Sequence, residues 1–147
     1  MEIERKFLVK ELPDLSGAKS SEIMQGYVSI SPEVRVRKLD NKYYRTEKGE
    51  GTVVREEREW EISRREGEEL FASIKTNVIE KTRYYLPCGE YTAELDIYKG
   101  KFSGLTVVEI EFPTLLEANA FTPPAWFGED ISEKKEYRNK ILAQKDL

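Results

Sequence analysis

The sequence predicts a mainly β fold (α+β) in which antiparallel strands form a single domain over residues 1–147. Eight segments show the two-residue alternation of apolar and polar side chains that is typical of strands. Few helical patterns separate them, and no repeat of fixed period or low-complexity linker divides the chain. Strands with few helices between them favour an antiparallel sheet over a doubly wound α/β fold.

The predicted strands are separated by segments rich in the turn formers Gly, Pro, Asn and Asp. In chain order the eight strands are Glu2–Phe7, Ile23–Ile30, Val34–Lys38, Tyr43–Lys48, Val53–Ser63, Ile79–Leu86, Thr92–Tyr98 and Thr106–Phe112.

Three helices are predicted beside the strands. Helical spacing is clearest at Leu70, Phe71 and Ile74, which recur among charged residues. Ser132 is a predicted cap for the last helix, and Trp126–Gly128 is expected to be a packed loop. The helices are Arg64–Asn77, Leu115–Phe121 and Glu133–Ala143.

The composition excludes several classes of site. The chain has no His and one Cys, Cys88, so His-based triads, His-ligated metals, Cys-ligated zinc and an internal disulfide are excluded. Acid–base chemistry must therefore come from carboxylates, Lys, Tyr or metal-bound water. A net charge of -4 argues against broad attraction to nucleic acid or to an anionic membrane. With no leader or membrane-spanning run in the sequence, a cytoplasmic protein is expected.

Two carboxylates share one face of the first strand. Because successive side chains point to opposite faces, Glu2, Glu4 and Lys6 lie together, while Ile3 and Phe7 lie on the other side. Carboxylates roughly 6.6 Å apart on a rigid strand can jointly bind a hard divalent cation. For these residues alone, the alternative is a solvated, charged strand face.

Later strands also carry charged residues on one face, and within each of these groups the charges have the same sign. Like charges about 7 Å apart repel by roughly 0.6 kcal/mol in water, so an open sheet that meets water is expected to mix them. A closed barrel that turns these faces inward would instead enclose metal ions and a polyanion. The acidic groups are Glu57/Glu59/Glu61, Glu94/Asp96 and Glu109/Glu111, and the basic pairs are Arg35/Arg37 and Lys81/Arg83.

Several motifs follow one another along almost the whole chain. They are Glu2-Ile3-Glu4-Arg5-Lys6, Gln25-Gly26-Tyr27, Val34-Arg35-Val36-Arg37, Thr46-Glu47-Lys48, Arg55 to Glu61, Glu80-Lys81-Thr82-Arg83-Tyr84, Glu94-Leu95-Asp96 and Val108-Glu109-Ile110-Glu111-Phe112. The first is similar to the ExExK signature, and the ordered set resembles the CYTH superfamily, the triphosphate tunnel metalloenzymes. The resemblance implies an eight-stranded antiparallel closed β-barrel with a few flanking helices, and a tunnel that binds a triphosphate with Mg²⁺ or Mn²⁺.

The resemblance also implies roles for individual residues. The expected metal ligands are Glu2, Glu4 and Glu111 for the principal ion, with Glu109 and Asp96 as candidates for a second. Glu59 is expected to position a water or to bind that second ion, with Lys6 as its catalytic partner. The cations expected to bind phosphate are Lys6, Arg35, Arg37, Lys48, Arg55, Lys81 and Arg83, with Lys135 and Arg138 at the tunnel mouth.

The leading hypothesis for function is a metal-dependent inorganic triphosphatase that converts tripolyphosphate and water to pyrophosphate and phosphate. Phosphoryl transfer needs charge neutralisation and in-line positioning, which charged side chains and a metal ion provide. One alternative is a hydrolase or cyclase that acts on an organic triphosphate such as thiamine triphosphate or ATP. Another is a polyphosphate-binding module without catalysis. The expected partner is thus a small polyanion, not nucleic acid or a membrane.

Overall fold

The computed structural model describes residues 3–49 and 57–146. Within them it has nine strands, three α-helices and two short 3₁₀ turns. The strands are β1 (Ile3–Val9), β2 (Lys19–Ser29), β3 (Glu33–Leu39), β4 (Lys42–Lys48), β5 (Glu57–Ile62), β6 (Ile79–Cys88), β7 (Tyr91–Tyr98), β8 (Thr106–Phe112) and β9 (Phe127–Asp130). The helices are α1 (Arg64–Ala72), α2 (Leu115–Ala120) and α3 (Asn139–Ala143), and the 3₁₀ turns are Gly100–Phe102 and Lys135–Tyr137.

The strands hydrogen-bond in the order β5-β4-β3-β2-β6-β7-β8-β1-β9. Strands β3 and β4, β4 and β5, β7 and β8, and β1 and β8 pair antiparallel, which confirms the mainly antiparallel fold. Hydrogen bonds that would close the sheet are not detected in the part of the chain that the structure describes. The closed barrel therefore stays a prediction.

The chain contacts group into two compact units, and the first comprises residues 1–21 and 82–134. Alternate side chains of β1, β7 and β8 form its core, including the fully buried Phe7, Leu95 and Ile110. Arg5 joins α2 to β1, because its guanidinium donates hydrogen bonds to the carbonyls of Ala118 (3.0 Å) and Phe121 (3.2 Å). With the odd positions of β1 committed to packing, its even positions, Glu4 and Lys6, are left for the opposite face.

The second unit comprises residues 22–81 and 135–147. Its core packs Val36, Tyr43 and Ile62 from β3, β4 and β5 against apolar side chains of α1. Helix α1 begins after Ser63, whose hydroxyl accepts a hydrogen bond from the amide of Glu66 (3.1 Å), a standard N-cap. The strand faces opposite this core carry Arg35 and Arg37 of β3 and Glu57 and Glu59 of β5.

Three predicted elements differ in the structure: the first helix, the loop at Trp126–Gly128 and the last helix. The predicted helix Arg64–Asn77 ends at Ala72, and Asn77 instead uses its side-chain amide to bind the carbonyls of Leu142 (3.1 Å) and Lys145 (2.8 Å). The helix ends early because these hydrogen bonds to the C-terminal segment hold Asn77 outside the helix.

The other two differences lie after α2. The predicted loop Trp126–Gly128 contributes to the ninth strand, β9, which pairs with β1. Gly128 permits this pairing, because a Cβ there would lie 3.1 Å from the carbonyl oxygen of Leu8. The predicted helix Glu133–Ala143 is divided into a 3₁₀ turn and α3, since Arg138 has an extended backbone (φ -71°, ψ 138°).

No helix within residues 3–49 and 57–146 combines the length and the apolar character needed to cross a membrane. The predicted fifth strand began at Val53, and its first residues lie outside the described part of the chain.

Gly67 is expected to be required for the packing of α1. Alanine favours a helix over glycine by about 1 kcal/mol, but here its Cβ would overlap the ring of Tyr43 and lie 2.8 Å from the Tyr43 Cβ. Gly67→Ala is therefore expected to lower the free energy of unfolding by about 1–3 kcal/mol, the usual cost of overpacking. Urea denaturation measures this. The control Ala72→Gly, at an exposed site of the same helix, is expected to cost about 1 kcal/mol; a stabilised Gly67→Ala would contradict the packing argument.

Candidate active site

The first unit gathers its charged side chains on one face of β1, β8 and β7. In the strand register Glu4 lies opposite Glu111, and Lys6 lies opposite Glu109. Glu109 in turn lies opposite Glu94 on β7. We call this surface the acidic face; its members are Glu4, Lys6, Arg83, Glu94, Asp96, Glu109 and Glu111. The strand register thus places Glu4, Glu94, Glu109 and Glu111 on one face of three neighbouring strands.

The position of Lys6 is fixed from the neighbouring chain. Its amide donates a hydrogen bond to the hydroxyl of Ser132 (2.9 Å), and its carbonyl accepts one from the amide of Ile131 (2.8 Å). The segment after β9 therefore holds the middle of β1 in register.

Arg83 is held by carboxylates on the acidic face. Its Nε and Nη2 donate to the two oxygens of Asp96 (2.8 and 3.0 Å), and its Nη1 donates to Glu94 (3.1 Å). Burial lowers the pKa of Arg83, but the hydrogen bonds to Asp96 and the nearby carboxylate charges raise it above its ordinary value. This two-point pairing is the strong, geometrically specific form of an arginine–carboxylate contact. Phosphate binding by Arg83 and metal binding by Asp96 stay predictions.

Glu109 shares a hydrogen bond with Glu4. Burial raises the pKa of Glu109 well above its ordinary value, and the hydrogen bond and charge of Glu4 raise it further. Lys6 and Arg83 oppose this shift. Two carboxylates this close must share either a proton or a cation, because both cannot stay ionised side by side.

This donor set fits a hard divalent cation, which prefers carboxylate oxygens. Within residues 3–49 and 57–146, no group of three or more acidic or Cys side chains is already placed to hold a metal ion. Glu2, the third expected ligand beside Glu4 and Glu111, lies outside the described residues. The metal-ligand set stays a prediction.

The second unit presents a row of arginine–glutamate pairs. Arg35 Nη2 lies 3.3 Å from Glu57 Oε1, and Arg37 Nη2 lies 3.2 Å from Glu59 Oε1. Both arginines are on β3 and both glutamates on β5, so the side chains reach across β4, where Thr46 provides a small, buried side chain. We call this surface the basic face; its members are Glu33, Arg35, Arg37, Thr46, Lys48, Glu57 and Glu59.

Arg37 retains a hydrogen-bond donor and Glu59 is oriented by two partners. The Nε of Arg37 is buried and has no hydrogen-bond partner within the described residues. Glu59 Oε1 accepts hydrogen bonds from Arg37 (3.2 Å) and from the hydroxyl of Thr46 (3.1 Å). A carboxylate held through one oxygen can still accept a hydrogen bond through the other.

Glu33 is a member of the basic face that the sequence does not predict as a site residue, because the predicted third strand begins at Val34 and leaves Glu33 outside it. It is buried and lies between two lysines: Lys140 Nζ is 3.2 Å from Oε1, and Lys48 Nζ is 3.4 Å from Oε2. The signal was present, since Glu33 precedes Arg35 and Arg37 by the two-residue period of a strand.

The remaining predicted cations are placed differently. Lys81 is buried on β6. The C-terminal residues Lys135 and Arg138 are exposed, and it is Lys140 that reaches the basic face. Arg55 lies outside the described residues. Roles in phosphate binding for these residues stay predictions.

The family model described as the CYTH domain matches residues 1–143. The chain belongs to the CYTH domain family. The resemblance that the motifs indicated is therefore confirmed, and the predicted antiparallel sheet is the sheet of a CYTH domain.

Two curated relatives of this CYTH domain match it along nearly its whole length. A Nitrosomonas europaea protein named inorganic triphosphatase is 42% identical, over 97% of this chain and 96% of the relative. An Acetivibrio thermocellus protein of the same name is 36% identical, over 97% of this chain and 93% of the relative.

Solved structures give the same picture of the fold. The crystal structure of an inorganic triphosphatase superposes with a TM-score of 0.81 at 38% identity, over 97% of this chain and 94% of the other. A putative adenylyl cyclase from Hippeastrum superposes with a TM-score of 0.59 at 17% identity, over 82% of this chain and 83% of the other. At that identity the second comparison shows the fold alone.

Asp96→Asn is expected to destabilise the first unit. The substitution keeps the side-chain shape but removes the charge that pairs with Arg83, and breaking one partner of a buried pair costs about 3–5 kcal/mol. Thermal and urea unfolding measure the loss. The control Glu94→Gln removes the charge from a more exposed group that accepts a single hydrogen bond from Arg83, and it is expected to cost about 1 kcal/mol. Equal losses in the two variants would contradict the assignment of Asp96 as the main partner.

Glu33 is expected to make stability depend on pH in acid. Burial raises its pKa, but the charges of Lys48, Lys140 and Arg35 lower it below the ordinary value of 4.5. A lowered pKa stabilises the folded state above 4.5, and this contribution is lost as the pH falls through the folded value. Urea unfolding between about pH 6 and pH 3 is expected to show a steeper loss for the parent than for Glu33→Gln. Parallel curves would contradict the assignment.

Proposed function

We propose that this chain is an inorganic triphosphatase that hydrolyses tripolyphosphate to pyrophosphate and phosphate. The observation that carries the proposal is the nearly full-length similarity to two proteins with that name, at 42% and 36% identity. The charged faces of both units supply the chemistry that a phosphoanhydride hydrolase needs, since phosphoryl transfer depends on positioning and charge stabilisation.

Divalent-metal dependence is part of the proposal. Glu4 and Glu111, opposite each other on β1 and β8, would hold Mg²⁺ or Mn²⁺ together with Glu2, and Glu109 would exchange its shared proton for the ion. Such an ion neutralises charge on phosphate oxygens when bound. Both oxygens of Asp96 accept hydrogen bonds from Arg83, and binding of a second metal ion by Asp96 remains a proposal.

The cations of the two faces would bind the substrate. Arg35 and Arg37 match phosphate oxygens with their planar, multi-donor guanidinium groups, and the buried Nε of Arg37 provides a donor for such a bond. Lys6 and Lys48 add point charges on β1 and β4.

Glu59 is the residue proposed to orient the attacking water. Its carboxylate is fixed by Arg37 and Thr46, so its remaining acceptor capacity has a defined direction. Lys6 would stabilise charge on the phosphoryl group.

A phosphate-release assay tests the proposed activity. With Mg²⁺ or Mn²⁺, tripolyphosphate is expected to be hydrolysed faster than thiamine triphosphate, ATP or pyrophosphate, and EDTA is expected to abolish the reaction. Preference for an organic triphosphate would reassign the substrate. Binding of tripolyphosphate without turnover would leave a binding module.

Glu4→Gln is expected to lower kcat by at least about 100-fold, because it removes a ligand charge without changing the shape of β1. The melting temperature is expected to stay close to that of the parent, since Glu4 is exposed. Glu133→Gln, an exposed residue of the same unit, is the matched control and is expected to keep normal activity. Near-normal turnover by Glu4→Gln would refute the metal assignment.

A further inference from the structure

Glu33 is a buried anion on a surface that has to bind a polyanion. Only 8% of the residue is exposed, and it occupies the first position of β3, two residues before Arg35. A carboxylate there repels phosphate, so its presence on the basic face needs a physical reason. The contacts of its two oxygens supply one.

Each oxygen of Glu33 faces a lysine from a different element. Lys48 comes from β4, directly opposite Glu33 in the strand register, and Lys140 comes from α3. Arg35, on the same strand face, adds a third positive charge near the carboxylate. The surrounding cations keep Glu33 ionised, and a buried carboxylate keeps its charge only when it is paired in this way.

The contact with Lys48 is an ion pair with no hydrogen bond. Lys48 Nζ lies 3.4 Å from Glu33 Oε2, and this oxygen is buried without a hydrogen-bond partner among the described residues. The ammonium is thus held in place by charge, while its N–H groups keep the freedom to donate elsewhere. The Lys48 side chain is 27% exposed, so a ligand can reach it.

We propose that Glu33 is a positioning residue for substrate: it holds the ammonium of Lys48 where phosphate oxygens are bound. The inference rests on the proposed function, because that function makes Lys48 a phosphate-binding residue. A lysine side chain has four rotatable bonds and loses much conformational freedom when it is fixed. Glu33 imposes this order before the substrate arrives, which is the general route by which pre-organisation improves binding.

The sign of the effect separates this role from two others. A carboxylate that only repels substrate would weaken binding, so its removal would lower the KM. One that only ties α3 to β3 through Lys140 would affect stability and leave the KM unchanged. A positioning residue has the opposite signature, since its removal raises the KM through Lys48.

The first experiment measures tripolyphosphate hydrolysis by Glu33→Gln with Mg²⁺. The KM is expected to rise about tenfold with kcat within about threefold, the size expected for one charged contact. In a Lys48→Met background, adding Glu33→Gln is expected to change the KM by less than about twofold, because the two residues act as a unit. An unchanged or lower KM, or independent effects of the two substitutions, would overturn the inference.

Lys140→Gln is the matched control. It removes the other lysine from Glu33 and leaves the Glu33–Lys48 pair in place. It is expected to lower the melting temperature about as much as Glu33→Gln does, with a KM within about twofold of the parent. A tenfold rise in KM in this variant would assign the effect to the docking of α3 and overturn the inference.

A measurement without substrate distinguishes failure of this inference from failure of the proposed function. In side-chain ¹⁵N relaxation measurements on the lysine ammonium groups, the parent is expected to show a Lys48 signal typical of an ordered side chain, and Glu33→Gln is expected to lose that signal. If the signal is lost as expected but tripolyphosphate is not hydrolysed, the function fails while the positioning of Lys48 stands. If hydrolysis is normal and the signal is unaffected by Glu33→Gln, the function stands and the inference is overturned.

Discussion

The charged faces of this CYTH domain depend on one constraint: like charges at alternate positions of a strand must be neutralised from other strands. The two arginines of β3 are paired with two glutamates of β5 at 3.3 and 3.2 Å. On the acidic face one arginine, Arg83, forms ion pairs with two carboxylates of β7, Asp96 and Glu94. Glu33 repeats the principle with two lysines. In each case the charge of one side chain is balanced by a side chain of opposite charge from another element.

This pairing changes what the charge pattern means. From the sequence alone, strands of one sign favoured a lumen filled by metal and polyanion, because unpaired repulsion would be costly. The structure shows that the protein supplies much of the neutralisation itself, so sorted charges do not by themselves require a ligand. The exceptions are informative: Glu4 and Glu109 share a hydrogen bond between two acids, and the buried Nε of Arg37 has no partner in the described residues. A bound cation would neutralise the charge of Glu4 and Glu109, and a bound anion would accept a hydrogen bond from the Nε of Arg37.

The strands and their faces could be predicted from the sequence because the two-residue period is local. Alternation places Glu4 and Lys6 on the other face of β1 from Phe7. In the same way it places Glu109 and Glu111 on the other face of β8 from Ile110. The ends of helices could not be predicted in the same way, since Asn77 leaves α1 in favour of carbonyls more than sixty residues away in sequence. Strand β9 was missed because a four-residue edge strand is defined by its partner β1 and has little pattern of its own.

A crystal structure with tripolyphosphate and a divalent cation under non-hydrolysing conditions tests the central claim most directly. The claim predicts the cation on Glu4 and Glu111, and phosphate oxygens bound by Arg35, Arg37 and Lys48 while Glu33 stays beside Lys48 and Glu59 stays beside Arg37. A polyphosphate bound elsewhere, with no phosphate oxygen on Arg35, Arg37 or Lys48, would contradict it.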